Sequence, residues 1–305
     1  MGQIKMNQFL ERYKQLGEEI DLISIPPIKP SIRINTLRIT EKKLIARLEK
    51  QKVKFEKIPF LENAYWYESS FSLASTPEYL LGYFYIQEAA SQLPAKVLLE
   101  EFNETSKILD MCAAPGSKTT HLAEITKDTI PIIAIEVNAA RLTPLKNNIE
   151  RLKLKSIATY RKDSRFVHDL NIKFSHILLD APCSGNFCVE KNFFSIRNLE
   201  GIKERSVLQK ELLRSAYKCL ENEGILVYST CSLEPEEDEL VIDWFIKQYP
   251  DMKLISTNLK IGDEGLTKIF GQQLDKSINL TKRFWPHKTD TEGFFIAKMK
   301  KLITD

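Results

Sequence analysis

The sequence predicts an α/β protein in which a mostly parallel sheet follows a smaller α+β module. From about residue 107 onward, short apolar runs alternate with longer segments of helical spacing. That alternation is typical of a parallel sheet covered by helices on both faces. Before residue 90 the pattern is instead strand, helix, strand. We therefore expect two domains, over residues 1–90 and 91–305, and the chain of 305 residues is long enough for both.

The first domain is expected to begin with a helix over residues 6–20, which the proline-rich segment 25–30 separates from the rest. Strands are predicted over 31–37 and 53–58, with a helix over 41–51 between them. This second helix has Thr40 as its candidate cap. Its predicted inward positions are Leu44, Ala46 and Leu48.

The second domain is entered through a predicted connecting helix over 87–99. Six strands are then expected, at Ile108–Met111, Pro131–Glu136, Ile157–Tyr160, His176–Asp180, Gly224–Thr230 and Phe294–Met299. Four helices are expected between them, over 118–127, 138–153, 200–220 and 236–248.

The net charge of +3 does not by itself indicate nucleic-acid binding, but the charge is unevenly distributed. Between Lys29 and Lys57, ten Lys or Arg residues stand against three Glu residues. Such a segment either meets the phosphates of a nucleic acid or is the solvated face of a lysine-rich helix. Both interpretations remain open at this point.

The five cysteines, an odd number without a signal peptide, argue against a disulfide framework. No Cys-x-x-Cys pair occurs and the four histidines do not cluster with cysteines, so no metal site is predicted. No apolar run reaches the roughly 18 residues needed to cross a bilayer. We expect a cytoplasmic protein with no membrane contact, in which the thiols stay reduced and reactive.

Chemically distinctive residues follow the predicted strands. Cys183 follows the apolar run ILLDAP, and Cys231 follows LVYST. A third run, KILDM, leads into the loop CAAPGSKT. Ligands bind at the carboxyl ends of the strands in open α/β sheets. Two thiols and a small-residue loop at one sheet edge therefore predict covalent chemistry beside a bound cofactor.

The loop CAAPGSKT differs from a phosphate-binding P-loop. That motif requires a glycine five residues before Gly116, where Met111 stands, and a lysine directly after Gly116, where Ser117 stands. The loop also lacks the three glycines of the dinucleotide fingerprint. Gly116 nevertheless permits close approach of the backbone, and the amides at the start of the following helix attract a negative group such as a carboxylate.

An acid stands at or just beyond each of the next three strands, as Glu136, Asp163 and Asp180. Each alone is explained as a solvated loop acid or a helix cap. Together with the loop they predict a nucleoside-bearing cofactor along the sheet edge, with Glu136 placed to accept from ribose hydroxyls.

Three motifs in this order, DMCAAPGSKTTHLAE, DAPCSG and YSTCSLEPEEDE, resemble those of the Nop/Sun (Fmu) family of RNA cytosine-C5 methyltransferases, including its archaeal-type tRNA 5-methylcytosine methyltransferases. IRINTLR, YIQEAASQLPA and RFWPHKTDTEGFFIAKM match as well, so the resemblance runs from about residue 30 to the C-terminus. It implies a class I, Rossmann-like fold that binds S-adenosylmethionine. It also implies that residues 1–90 form a small RNA-binding domain.

The resemblance further assigns residues to the cofactor. Glu136 takes the ribose hydroxyls, Asp163 contacts the adenine amine, and Asp180 lies between the cofactor and the target base. Arg141 matches a further cofactor-side position in archaeal-type relatives. The methionine and ribose end is held by the loop residues Cys112, Ala113, Ala114, Pro115, Gly116, Ser117 and Lys118.

This chemistry requires a nucleophile because carbon 5 of cytosine reacts poorly. A thiolate that adds to carbon 6 converts the ring into an enamine, which accepts a methyl group at carbon 5. The chemistry alone does not rank Cys183 against Cys231. DNA enzymes that make 5-methylcytosine use the cysteine of a Pro-Cys motif, whereas the RNA family resembled here uses the Thr-Cys cysteine. The resemblance therefore assigns the attack on carbon 6 to Cys231 and the release of the product to Cys183. It also makes Asp180 the acid or hydrogen-bond partner of ring nitrogen 3.

Other residues near these motifs are expected to be structural. The acidic run Glu234–Glu239 is interpreted as the first turn of the helix over 236–248, although its charge opposes ionisation of Cys231. Cys188 and Cys219 are predicted to be structural thiols. His287 is predicted to have a structural role rather than a catalytic or RNA-binding one. Tyr65, Trp66 and Tyr67 are predicted to pack in the core or between domains rather than to stack on RNA bases.

The predicted partner is RNA, with tRNA as the first candidate because the chain is compact and shows no extension. The alternatives are an rRNA methyltransferase with the same mechanism, or an RNA-binding assembly factor without catalysis. The presence of both Cys183 and Cys231 argues against the assembly factor. An amino-group methyltransferase is disfavoured because DAPC stands where an N/D-P-P-Y strand end is expected.

Overall fold

The computed structural model describes residues 8–22, 25, 27–190 and 192–303. It contains a four-stranded sheet, a nine-stranded sheet and a separate two-stranded hairpin. Residues 6 and 7 of the first predicted helix lie outside the described ranges. Within these ranges, no helix has both the length and the apolar character that crossing a membrane requires.

The smaller sheet is formed by the N-terminal part of the chain. Its strands are β1 Ser31–Ile34, β2 Lys54–Lys57, β3 Ala64–Glu68 and β4 Phe84–Ile86. They lie in the order β2-β3-β1-β4, and every pair is antiparallel. The helices of this part are α1 Gln8–Gln15, α2 Glu41–Glu49 and α3 Pro77–Leu80. The predicted strand, helix and strand are present, and β3 and β4 complete the sheet.

The helices of this part are shorter than the sequence predicts. α1 ends before Gly17, whose φ of +93° lies in the left-handed region that ends helices. α2 buries Leu44 and Leu48 but leaves Ala46 exposed, so the third predicted inward position is wrong. Thr40 occupies the N-cap of α2, yet its side chain makes no capping hydrogen bond.

Helix α1 packs against the larger sheet rather than the smaller one. Phe9 and Tyr13 are fully buried and share an apolar cluster with Leu109 and Ile177 of that sheet. The hydroxyl of Tyr13 also donates a hydrogen bond of 2.7 Å to Glu234. The start of the chain therefore braces the part that carries the thiols. The division into two domains at residue 90 stays a prediction.

The larger sheet is mostly parallel, as predicted. Its strands are β5 Ile108–Asp110, β6 Ile132–Glu136, β7 Ile157–Arg161, β8 Phe174–Asp180, β9 Leu220–Thr230, β10 Met252–Ile255, β11 Asp263–Glu264, β14 Lys282–Phe284 and β15 Phe294–Lys301; β12 Lys268–Ile269 and β13 Gln272–Gln273 form the hairpin. The main order is β11-β14-β15-β9-β8-β5-β6-β7, and β10 also pairs with β15. Neighbours from β9 to β7 are parallel, whereas β15 is antiparallel to β9.

Helices cover this sheet. They are α4 Leu93–Leu98, α5 Ser117–Ile125, α6 Ala139–Leu152, α7 Phe193–Ile196, α8 Leu199–Cys219, α9 Glu239–Gln248 and α10 Pro286–Thr289. Two predicted starts are too early. The connector expected from residue 87 begins as the 3₁₀ turn Ala90–Gln92 before α4, and α9 begins at Glu239 rather than 236.

The core lies on both faces of the larger sheet. On β8, Ile177 and Leu179 face one apolar cluster and Leu178 faces another, because successive side chains of a strand alternate. The strand order reverses at β5, which has β6 on one side and β8 on the other. Ligands bind at such a reversal, beyond the carboxyl ends of the strands.

Candidate active site

The loop after β5 turns tightly into helix α5. Gly116 has a φ of +104°, and a Cβ atom there would lie 3.0 Å from Leu145 Cδ1. The turn is closed by a 2.7 Å hydrogen bond from the Gly116 amide to the carbonyl of Ala113. The backbone amides at the start of α5 have no partner within the helix and can therefore bind a negative group, as the sequence predicts.

Beneath this loop lies Asp110, a buried acid for which the sequence predicts no role. Thr119 donates a 2.7 Å hydrogen bond to it, and the Cys112 amide donates at 3.3 Å. Burial raises the pKa of Asp110 to about 7, although the bond from Thr119 opposes the shift. Burial also raises the pKa of Cys112 well above its ordinary value. Cys112 is therefore a protonated packing residue whose backbone belongs to the loop.

Glu136 ends β6 and is 4% exposed. Its Oε1 accepts from the Asn138 amide at 2.8 Å, while its Oε2 lies 3.7 Å from the Arg141 guanidinium. Arg141 also donates to the carbonyl of Ala114 at 2.7 Å. Arg141 thus ties the second strand end to the loop after β5.

Asp163 follows β7, at the next strand end along the sheet. Its carboxylate accepts from the Arg165 amide at 2.9 Å and pairs with the Arg165 guanidinium at 2.7 Å. The hydrogen bonds from Arg165 lower the pKa of Asp163. The loop, Glu136 and Asp163 lie along one sheet edge, and this set of amides and carboxylates fits a nucleoside-bearing cofactor.

The two thiols meet on the other side of the strand-order reversal. Cys183 follows β8 and Cys231 follows β9, and their Sγ atoms are 3.2 Å apart. The hydrogen bond with Cys231, together with burial, raises the pKa of Cys183 well above its ordinary value. Cys183 therefore keeps its proton and can donate it toward the sulfur of Cys231.

Asp180 lies between the two halves of the site. Its Oδ2 accepts from Lys118 Nζ at 2.7 Å and its Oδ1 accepts from Ser229 Oγ at 2.8 Å. Lys118 is almost fully buried and also donates to Ser91 Oγ at 3.0 Å. Burial lowers the pKa of Lys118, but the charge of Asp180 and the hydrogen bond to it outweigh burial, so the pKa rises. The side chain of Lys118 thus links the loop after β5 to Asp180, the acid at the end of β8.

The acidic run Glu234–Glu239 is not the first helical turn that the sequence suggested, since only Glu239 belongs to α9. Glu237 is fully buried and accepts from the Ser184 amide at 3.0 Å and from Ser232 Oγ at 2.6 Å. It therefore joins the loop of Cys183 to the loop of Cys231.

The next two acids of the run bind Arg283, which is also fully buried. Arg283 pairs with Asp238 at 3.2 Å and donates to Glu239 at 2.9 Å. Hydrogen bonds and ion pairs to buried partners, rather than a place in the first helical turn, therefore account for Glu237 and Asp238.

Asn186 connects the thiol loop to the last strand. Its Nδ2 donates to the carbonyl of Cys231 at 2.8 Å and to the carbonyl of Gly293 at 3.0 Å. A Cβ atom on Gly293 would come within 2.7 Å of Leu233, so the close approach requires glycine. The segment TDTEGFF is therefore a wall of the site.

The remaining candidates have structural surroundings. Cys219, the last residue of α8, is buried in the core. His287 lies 3.1 Å from Glu18. Trp66 is 7% exposed and packs in the apolar core. Among the described residues, no group of three or more His, Cys, Asp or Glu side chains is arranged as a metal site.

Sequence reasoning missed several residues that the structure brings to this edge. Glu88 and Ser91 belong to YIQEAASQLPA, and Glu292 belongs to TDTEGFF. Both segments carried the family resemblance, but no side chain in them was selected. The available signal was the acid that each of these matching segments carries, Glu88 in the first and Glu292 in the second.

Both parts of the chain match models of known protein families. Residues 96–300 match the family model described as 16S rRNA methyltransferase RsmB/F. Residues 6–89 match the model described as the N-terminal domain of 16S rRNA methyltransferase RsmF.

Two curated relatives illustrate the similarity. The 25S rRNA (cytosine-C(5))-methyltransferase nop2 of Schizosaccharomyces pombe is 37% identical over 286 residues, which cover 90% of this chain and 46% of that protein. The ribosomal RNA small subunit methyltransferase F of Shewanella piezotolerans is 36% identical over 295 residues, which cover 93% and 60%. The chain thus spans about half the length of these relatives.

Two solved structures from Pyrococcus horikoshii share the fold over almost their whole length. A methyltransferase homolog protein superposes with a TM-score of 0.83 at 36% identity, covering 96% of this chain and 98% of its own. NSun6, determined with the S-adenosylmethionine analogue SFG, gives 0.84 at 28% identity, covering 96% and 97%. The predicted class I fold and the S-adenosylmethionine cofactor are confirmed. The chain belongs to the RsmB/F family of RNA methyltransferases, within the Nop/Sun group that its motifs resemble.

Proposed function

We propose that this chain is an RNA cytosine-C5 methyltransferase that forms a covalent adduct through Cys231. The observation that carries the proposal is the pair of thiols 3.2 Å apart beside the Asp180–Lys118 ion pair. Family membership supplies the reaction class, because relatives are named as cytosine-C5 methyltransferases.

Three elements of the sheet edge would hold the cofactor. The loop Cys112–Lys118 meets its methionine and ribose end, Glu136 its ribose hydroxyls and Asp163 its adenine amine, with Arg141 bracing the loop through Ala114. When bound, S-adenosylmethionine supplies an electrophilic methyl group. The buried position of Glu136 suits it to replace the water around two hydroxyl groups.

Cys231 is the proposed nucleophile. Its thiolate adds to carbon 6 of the target cytosine, which must be unpaired or flipped out of its stack to reach the pocket. A thiolate requires nearby donors or positive charge. The protonated Cys183 at 3.2 Å is such a donor. Lys118, which pairs with Asp180 at 2.7 Å, supplies positive charge at this sheet edge.

Cys183 is proposed to act after methyl transfer. The hydrogen on carbon 5 must then be removed, and the bond between Cys231 and carbon 6 must break. Because Cys183 contacts the leaving sulfur, it promotes this elimination by donating a hydrogen bond to the departing thiolate.

Asp180 is proposed to contact ring nitrogen 3 and to stabilise the adduct. The hydrogen bonds from Lys118 and Ser229 fix the position of its carboxyl group. A fixed polar group loses little free energy on reorganisation when charge develops on the ring.

RNA would reach the site across the N-terminal part of the chain. A groove of about 660 Å³ there is lined by residues that include Arg38, Lys43 and Arg47. Lys42, Lys50 and other lysines of this segment are exposed. Exposed positive charge at this density attracts phosphate groups.

The RNA itself has two candidates. The sequence favoured tRNA, whereas the relatives from Schizosaccharomyces pombe and Shewanella piezotolerans are named for rRNA, which now favours rRNA. Bisulfite mapping of cellular RNA with and without the protein distinguishes them. A cytosine in rRNA that loses its methyl group identifies the first class, one in tRNA identifies the second, and no change in either contradicts the proposed function.

A further inference from the structure

Arg33 is a buried arginine of β1 that reaches from the smaller sheet to helix α5. Its residue surface is 2% exposed. Its Nε donates to Glu124 Oε2 at 2.8 Å, and its Nη2 donates to Glu124 Oε1 at 3.0 Å and to Thr120 Oγ1 at 2.9 Å. Its Nη1 donates to the carbonyl of Ser117 at 2.8 Å. One side chain of the N-terminal part therefore holds the first two turns of α5.

The three acceptors lie on one face of α5, because residues three and four positions apart are neighbours on a helix surface. The guanidinium presents its donors as a rigid planar fork, which spreads three nitrogen atoms over Glu124, Thr120 and Ser117. A lysine keeps the positive charge opposite Glu124, but it has only one nitrogen atom for the whole set. Arg33 thus fixes both the rotation of α5 about its axis and the position of its first residue.

A second link between the smaller sheet and the loop after β5 runs through Asn148 of α6. Its Nδ2 donates to the carbonyl of Pro115 at 3.0 Å and to the hydroxyl of Tyr85, in β4, at 3.2 Å. Pro115 and Ser117 flank Gly116, whose φ of +104° turns the loop into α5. The carbonyls on both sides of this turn are therefore held by side chains that belong to the smaller sheet or contact it.

We propose that Arg33 is a positioning residue for the cofactor, which keeps the loop Cys112–Lys118 in the conformation that binds S-adenosylmethionine, with Asn148 as a second anchor. This inference rests on the cofactor placement in the proposed function. The apparent affinity for a ligand falls in proportion to the fraction of the protein whose site is competent to bind. Weaker anchoring therefore lowers the affinity for the cofactor. At saturating cofactor the loop is held by the ligand itself, so the rate of methylation is retained.

Arg33→Lys in the full chain tests this inference, because lysine leaves the buried Glu124 paired with a positive charge. Calorimetric titration is expected to show binding of S-adenosylmethionine weakened by about 10-fold or more. In methylation of RNA from cells lacking the protein, KM for S-adenosylmethionine should rise, whereas KM for RNA and kcat should change by less than about threefold. Hydrogen exchange of the loop amides, measured without cofactor, should become faster.

Leu44→Ala is the control for general weakening of the smaller sheet. Leu44 is fully buried in the apolar core of that sheet, and its side chain donates no hydrogen bond to the loop. Its replacement should lower the unfolding temperature but leave the affinity for S-adenosylmethionine within about twofold. If Leu44→Ala weakens cofactor binding as much as Arg33→Lys does, or if Arg33→Lys lowers kcat without weakening cofactor binding, the inference is wrong.

Asn148→Ala decides the question if Arg33→Lys fails to fold, as judged by thermal unfolding. Asn148 is half-buried on α6, and its replacement removes the second anchor of the loop. Weaker binding of S-adenosylmethionine in this variant supports the inference, and unchanged binding overturns it. If the unmodified protein itself neither binds S-adenosylmethionine nor forms 5-methylcytosine, the proposed function is refuted, and the inference with it.

Discussion

The Sγ atoms of Cys183 and Cys231 lie 3.2 Å apart, although the residues are 48 positions apart in the chain and follow different strands. Parallel strands β8 and β9 bring their carboxyl ends together, and Glu237 and Asn186 then fix the two loops. One thiol can therefore act on the sulfur of the other during a single reaction.

Replacing Cys231 by alanine is expected to reduce methylation to background while leaving cofactor binding unchanged. The nucleophile is lost, but the cofactor contacts are assigned to other residues, namely the loop Cys112–Lys118, Glu136 and Asp163. Transfer of labelled methyl groups and calorimetric titration with S-adenosylmethionine measure the two effects. Cys219→Ala, a buried thiol away from the site, is the matched control. Retained 5-methylcytosine in Cys231→Ala contradicts the assignment.

Replacing Cys183 by alanine is expected to let the adduct form but to slow its resolution. The sulfur of Cys231 then departs without its hydrogen-bond donor. A protein–RNA species that survives a denaturing gel should accumulate at least about 10-fold over the unmodified protein. Its appearance in Cys231→Ala instead would reverse the two roles.

The basic segment of the first 60 residues is expected to bind RNA through its charge. Reversal at Lys42, Lys43, Lys50 and Lys52 should weaken binding by about 10-fold or more and reduce its salt dependence. Reversal of four exposed lysines elsewhere, Lys203, Lys253, Lys268 and Lys276, is the matched control. Filter binding over a salt series measures the affinity and its salt dependence for both variants. If the two variants bind RNA equally well, the basic segment is a solvated surface and does not bind RNA.

Asp110 is expected to make stability depend on pH. Its pKa in the folded protein, about 7, lies above the ordinary value of 3.8, so its contribution is fully present below about pH 4 and is lost as the pH rises through 7. Asp110→Asn removes this dependence. Relative to the unmodified protein, the variant should therefore gain on the order of 4 kcal/mol between pH 4 and 8.

Thermal or urea unfolding over this pH range measures the difference. The exposed Asp169→Asn serves as a control for the loss of one negative charge. A difference between Asp110→Asn and the unmodified protein that stays constant with pH contradicts the proposed protonation of Asp110.

Sequence patterns predicted the parallel sheet and the strand ends because both depend on local periodicity. They did not predict the contact of Lys118 with Asp180, since these residues are 62 positions apart and a flexible side chain makes the link. The acidic run was misinterpreted for a related reason. Its partners Ser184 and Arg283 come from distant loops and strands, and nothing local to Glu237 indicates that it is buried.

The sheet against which helix α1 packs could not be predicted from the sequence either. The amphipathic spacing of Phe9 and Tyr13 predicts a helix with one apolar face, but it does not say which sheet covers that face. The structure places both residues in the core of the larger sheet, where Tyr13 reaches Glu234 next to the thiol loops.

The central claim is that Cys231, not Cys183, attacks carbon 6. RNA containing 5-azacytidine traps the adduct on the unmodified protein, because nitrogen replaces carbon 5 and leaves no hydrogen for elimination. Digestion and mass spectrometry of the trapped species then locate the nucleotide on one peptide. We predict that the added mass lies on Cys231. A nucleotide found on Cys183 would contradict the account.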